Sequence, residues 1–391
     1  MSKKLLKPKT KIPYAKHKIT KEDIQSVVDV LNTDWLTQGS QVDVFEKKMA
    51  SFCGAKYAVA VSHGTAALHL ACLVAGLKTG DEAITTPISF VATSNAVLYT
   101  GAKPVFAEVD YETGNLDPKS VIKKCSKKTK AILPVHLAGF PVEMKEIYQF
   151  AQKKKLVVIE DACHALGATY KGQNVGSCKY SDMTIFSFHP VKHITTGEGG
   201  CITTNSKKYY EKLKALSSHG VYKTPEIMSR LGGWAYEMRD LGFNYRITDF
   251  QCALGVSQLK KIKSFVKRRN EIAKKYNKAF LSIEDQITLP NITDKDRTHA
   301  LHLYLLRLKL NKNKVNRRQL YDRLRDEGVF AQVHYIPIHQ QPYYRKRKEY
   351  QNLKFPQAEK YYSEVISLPM FPGMSDKQVS QVIKSVKKVL K

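Results

Sequence analysis

Between about residues 55 and 205 the chain repeats one unit: a short apolar run, a turn, a helical stretch and another apolar run. Runs of this kind, too apolar to leave one face wet, read as strands of a parallel sheet covered on both sides. The spacing predicts strands at YAVAVS (57–62), EAITTP (82–87), KPVFAEV (103–109), KAILPVH (130–136), LVVIEDA (156–162), MTIFSFH (183–189) and GCITT (200–204). Helices are expected at 65–76, 89–101 and 143–155, where apolar residues recur at helical spacing. Sheet order is not derivable from this pattern, and a doubly wound sheet is the default. A long helix is expected over about 248–281, then strands at 302–310 and 329–337, and helices at 317–328 and 376–391. The fold class expected is therefore α/β: a large, mostly parallel domain (1–260) and a smaller C-terminal α/β domain (261–391).

A formal charge of +29 admits nucleic acid, an anionic membrane surface or an anionic small substrate as partners. The lysines, however, lie on stretches such as 260–278, where apolar residues keep helical spacing, so they read as solvated helix faces. Neither nucleic-acid binding nor membrane insertion is expected: no run approaches the ~18 apolar residues of a membrane span. The N-terminal MSKKLLKPKTKIPY is basic but lacks the apolar core of a signal peptide. Seven scattered cysteines without CxxC spacing fit a reducing cytoplasm and argue against both a disulfide framework and a zinc site. His334 and His339 flank a proline five residues apart, which suits neither a strand face nor a helix face, so no metal is expected.

The chemistry concentrates in SFHPVKHITTGEGG (187–200) and VVIEDACHALG (157–167). Lys192 follows an apolar strand and precedes a glycine-rich turn. Asp161 ends another strand, where open parallel sheets place their ligand crevice; it reads either as the partner of a cation or as a helix N-cap. Gly64 and Thr65 open a helix after a strand, an anion site by free amides and dipole, or an ordinary turn capped by Ser62 or Thr65. Ser187 could add a hydroxyl there. Phe90 suits ring stacking or plain core packing, and His164 suits a ring neighbour or a satisfied polar residue. VHYIPIHQQPYY (333–344) reads as a substrate-lining loop or as packing. A lysine, an aspartate and a phosphate-holding turn are what pyridoxal 5′-phosphate (PLP) needs from a protein.

Seven ordered motifs, from NTDWLTQGSQVDVFE (32–46) through LGFNYRITDFQCALG (241–255) to ISLPMFPGMS (366–375), resemble the DegT/StrS-type sugar-nucleotide aminotransferases, which are fold-type I PLP enzymes. The resemblance implies Lys192 as Schiff-base lysine and proton shuttle, Asp161 on the pyridine nitrogen and His164 beside the ring. It implies Gly64, Thr65 and Ser187 on the phosphate, Asn244 reaching in from the other subunit of a homodimer, and Phe90 stacked on the ring. Tyr14, the stretch Asp34, Trp35, Leu36 and Thr37, and the stretch His334, Tyr335 and Pro337 would line the sugar-nucleotide pocket. His63 is left without a role.

Within the family, residues 11–23, 233–249 and 331–345 are most similar to the C4-aminotransferases of pseudaminic acid biosynthesis. That implies glutamate as amino donor, pyridoxamine phosphate as the second cofactor form, and a UDP-4-keto-6-deoxy-N-acetylhexosamine as acceptor. Other C4-aminotransferases, for 4-keto-6-deoxyglucose or 4-keto-arabinose substrates, share the scaffold. A non-catalytic regulatory protein on the same scaffold is the alternative of another class, and the presence of Lys192 argues against it.

Overall fold

The computed structural model describes residues 11–390; the basic segment 1–10 lies outside them. All seven expected strands form, as β1 (Tyr57–Val61), β2 (Glu82–Thr85), β3 (Lys103–Phe106), β4 (Thr129–Leu133), β5 (Val157–Asp161), β6 (Met183–Ser187) and β7 (Gly200–Thr204). They make one sheet in the order β1-β7-β6-β5-β4-β2-β3. Side chains alternate between two cores. Val59, Val61, Leu133, Ile159, Ile185 and Ile202 face the layer of the Gly64–Val74 helix. Ala58, Ala60, Phe186 and Cys201 face the opposite layer, where Ile132 and Val158 also lie. Period two with both faces apolar is why these strands read as continuous hydrophobic runs.

One strand departs from the parallel expectation. β7 runs antiparallel to both β1 and β6, with Ser187 paired to Gly200. The glycine-rich stretch after Lys192 is therefore the loop of a long hairpin rather than the start of a crossover.

The expected helix over 248–281 is two helices, Asp249–Leu259 and Ile262–Phe280, broken at Lys260 and Lys261. The break has a cause. Lys261 Nζ turns away to Asp23, at 2.5 Å, and to the Thr20 hydroxyl. Asp23 is fully buried at the start of the Lys21–Leu31 helix and also accepts from Ser257 Oγ and Gln258 Nε2, both at 2.6 Å. Those bonds, with Lys261, hold the Asp23 carboxyl below its usual range although burial opposes them.

The C-terminal part is a three-stranded antiparallel sheet, Ile287–Thr288, Tyr304–Leu308 and Val365–Leu368, with the Arg317–Asp326 and Asp376–Leu390 helices over it. The expected strand at 329–337 does not form. Its backbone is divided: Phe330 N–H bonds to Ile12, Gln332 pairs with Ser367, and the chain then runs as a loop. Its place is taken by Val365–Leu368, within the ISLPMF motif. The N-terminal arm crosses this region: Ile12 N–H bonds to Gly328 O, and Met370 N–H to Tyr14 O.

Candidate active site

A cavity of about 460 Å³ opens at the C-terminal ends of β5 and β6. Tyr14, Gly64, Thr65, Phe90, Asp161, His164, Ser187, Lys192, His334 and Tyr335 all line it. Residues spread over more than three hundred positions thus meet at one sheet edge, where strand ends and helix starts converge.

Asp161 is 5 % exposed, and its backbone is tied on both sides: it donates to Pro134 O, and Ala162 N–H bonds to Ile185 O. Its carboxylate accepts from the Thr93 hydroxyl at 2.6 Å and the Cys163 amide at 3.2 Å. No cation touches it among the described residues, so a buried negative charge faces the cavity half-compensated. Its neighbour Glu160, equally buried, points to the other face.

Lys192 sits in the β6–β7 hairpin loop, its amide bonded to His189 O. Its ammonium makes no hydrogen bond or ion pair among the described residues. Burial pushes its pKa below the ordinary lysine value, and the nearby Asp161 carboxylate pulls part of that back. Burial also raises the Cys163 thiol well above its usual range, so it stays protonated.

The Gly64–Val74 helix is capped by His63, whose Nδ1 accepts from Ala66 N–H at 2.9 Å. The caps expected at Ser62 or Thr65 are not used; Ser62 N–H goes to Tyr245 O. His63 thereby gains its role. The first helical amides, at Gly64 and Thr65, have no intrahelical acceptor. A Cβ on Gly64 would lie 2.9 Å from Ser187 Cβ, so only glycine lets the helix start and the end of β6 form one concave wall.

The residues at the mouth are aromatic. His164 Nε2 is hydrogen-bonded to Tyr335 OH at 3.2 Å, and their rings are within 19° of parallel. His334 Nδ1 bonds Ser367 Oγ at 2.7 Å and stands 5.5 Å from the Tyr14 ring. Burial and then Lys192 bring the His334 pKa down to about 4, and burial lowers His164 well below its usual value. Both are neutral at physiological pH.

Residues 17–387 match the model of the DegT/DnrJ/EryC1/StrS aminotransferase family. The chain belongs to that family. It is 43% identical over 382 residues to the spore coat polysaccharide biosynthesis protein SpsC of Bacillus subtilis, covering 97% of each. Among solved structures it is similar to Helicobacter pylori PseC, an aminotransferase of pseudaminic acid biosynthesis, at 34% identity and TM-score 0.90, over 97% of this chain and 99% of PseC. It is also similar to Spr1654 of Streptococcus pneumoniae in its PLP form, at 28% identity and TM-score 0.88, over 97% of this chain and all of that one. This DegT-family chain is a PLP-dependent sugar aminotransferase.

The residues present fit that cofactor. The Gly64 wall and its free amides suit a phosphate, the Asp161 carboxylate without a cation among the described residues suits a protonated ring nitrogen, and the unpartnered Lys192 amine suits a carbonyl carbon. His164 Nδ1 is buried without a partner, a polar atom left for the same site.

Six expected residues are not in the cavity. Asp34, Trp35, Leu36 and Thr37 lie on the exposed surface, Trp35 at 64 %, because the segment is anchored elsewhere: Asp249 N–H bonds to Leu36 O, and Thr37 bridges Thr248. Pro337 is buried, next to Ile338, whose amide bonds to Pro87 O. Asn244 is exposed and bridges Ser218. Phe90 lines the cavity but is 59 % exposed and is not a core residue.

Thr93, which the sequence does not single out, lines the cavity and donates its hydroxyl to Asp161. It lies on the helix after β2, and only the order β5-β4-β2 brings that helix over Asp161. No local signal marks it.

Proposed function

We propose that the protein transfers an amino group from an amino acid, glutamate in the first instance, to C4 of a UDP-linked 4-keto-6-deoxy-N-acetylhexosamine. The observation that carries this reading is the pairing, across one cavity, of an unpartnered lysine of lowered pKa with a buried aspartate that lacks a cation. With the cofactor bound, Lys192 Nζ would act as the base that takes the α-proton of the donor amino acid and, in the second half-reaction, as the acid that gives a proton to C4 of the sugar. A lowered pKa suits both directions, since one group must give and take a proton near neutrality. When bound, PLP supplies a cationic ring that takes up the electrons left by the departing proton, and in its pyridoxamine form carries nitrogen between the half-reactions.

Asp161 holds that ring cation, and Thr93 holds Asp161. Gly64, Thr65 and Ser187 would hold the phosphate, and Phe90 would pack against the ring. Tyr14, His334 and Tyr335 form the wall nearest the sugar. As neutral groups they bind hydroxyl, acetamido and keto oxygens without drawing an anion into the wrong end of the pocket. The exposed 34–37 segment and Asn244 complete the site from a second copy of the chain, and the homodimer works in the cytoplasm.

Likeness to PseC supports the pseudaminic-type acceptor. The higher identity to SpsC supports a second reading, in which the same chemistry acts on another 4-keto sugar destined for a surface polysaccharide. Incubating the purified protein with glutamate and each candidate UDP- or dTDP-4-keto sugar, with product NMR, separates the two. Amination of the N-acetylated substrate alone supports the first, amination of another sugar alone the second, and formation of no amino sugar overturns both.

A further inference from the structure

Behind the pocket wall, on residues that do not line it, the chain carries a buried histidine array held by a buried arginine. His302, 3 % exposed, stacks on His164 with ring centroids 4.3 Å apart and planes 33° from parallel. His193 lies beyond it at 5.5 Å and donates its Nε2 proton to Ala300 O at 3.0 Å. The segment presenting His302 is unusually constrained. Leu301 sits at φ +51, and facing it Ala138 and Gly139 sit at +57 and +95. A Cβ on Gly139 would lie 2.4 Å from His164 O, so the backbones of the two histidine segments are in contact through a glycine. Arg269, fully buried, gives Nη1 to the carbonyls of Leu301, His302 and Met370 at 3.0–3.1 Å and, among the described residues, touches no carboxylate. A buried guanidinium and several left-handed residues are costly arrangements, and they persist where the surroundings over-determine them.

Resting on the reading that His164 lies beside the cofactor ring, we infer that His302 is a positioning residue: its ring backs His164 and fixes the plane and direction in which His164 meets the bound cofactor. The chain of contact is short. Arg269 holds the 301–302 carbonyls, these place the His302 ring, and His302 and Tyr335 both contact His164. Burial keeps His302 and His193 neutral, and Arg269 adds to this, so the stack brings no competing charge to the lysine. The charged and titratable groups around the stack are Lys192, Asp161, Cys163, His193, His299, His334, Arg269 and Tyr335.

The test is a pH titration of the visible band of the lysine-bound cofactor in the absence of substrate, on purified wild type, His302→Ala, His302→Gln and His302→Phe. His302→Ala and His302→Gln lose the ring; both are expected to shift the band's midpoint by about one pH unit. Both are also expected to lower kcat roughly tenfold to a hundredfold with little change in the donor's KM. His302→Phe keeps a ring and should hold the wild-type midpoint. If the alanine variant does not fold, the glutamine variant carries the comparison. A folded ringless variant with wild-type midpoint and kcat overturns the inference, and so does a phenylalanine variant shifted as far as the ringless ones. A wild type without any visible band overturns the PLP reading itself and is distinguishable from both.

Discussion

Glu160 and Asp161 are consecutive, equally buried carboxylates at the end of one strand, and they have opposite fates. Glu160 points to the other face of the sheet, where His136 Nε2 donates to it at 2.7 Å and Thr184 Oγ at 3.1 Å. Because His136 Nδ1 accepts from Val142 N–H, the proton on Nε2 is fixed and the pair is complete within the protein. Asp161 has a hydroxyl and an amide, no cation, and an open cavity in front of it. Burial alone does not distinguish a structural acid from a functional one; what remains unpaired does.

The comparison can be broken in several ways. The largest effect is expected at the group facing Asp161: Lys192→Ala should cut turnover by more than roughly 10³-fold, read as product formation, with the fold intact by circular dichroism. Acidification comes next. Burial depresses His164, His193, His302 and His334 in the folded state, while the unfolded chain takes up their protons near 6.5. Below 6.5 the unfolded state binds more protons, so stability must fall with pH, by up to about 1.4 kcal/mol per pH unit for each histidine. Urea titrations at pH 7, 6 and 5 measure that slope; a flat profile would contradict the neutral lining.

Asp161→Asn should lower kcat roughly 10²–10³-fold while leaving the melting temperature near wild type. Glu160→Gln should do the reverse. An amide turns one acceptor into a donor facing His136 or Thr184, costing about 1–3 kcal/mol in denaturant titration with kcat within about twofold. Should Glu160→Gln cut kcat as deeply as Asp161→Asn, the division between the two acids fails. Among the groups around Asp161 the smallest loss of turnover belongs to Thr93→Val, which removes the hydroxyl from Asp161 and should cost about tenfold in kcat.

The same contrast explains what could be read before the structure. The seven sheet strands and the Lys192, Asp161 and Gly64 positions were legible because buried strands are continuous apolar runs, and their ends carry the polar residues. Strand order and the antiparallel β7 were not, since pairing leaves no local trace. The break at 260–261 depends on Asp23, far away in the chain. The 329–337 segment has strand-like composition but shares its backbone bonds between two partners. Away from the cavity, Trp35 and Asn244 carry family motifs yet stand in solvent in a single chain, so the motif marks them without local sequence saying what they do.

The arm that carries Tyr14 has a consequence for biosynthesis. Ile12 is bonded to Gly328 and Phe330, and Tyr14 to Met370, so residues 12–14 leave the ribosome long before the segments that receive them exist. The sheet can assemble during translation, but the wall containing Tyr14 closes only once the C-terminal part has emerged and docked. Until then the pocket lacks one side. Completion of the cavity wall is thus a late event of maturation, and damage to the Tyr14 arm or to the segments that receive it should be felt at the same place.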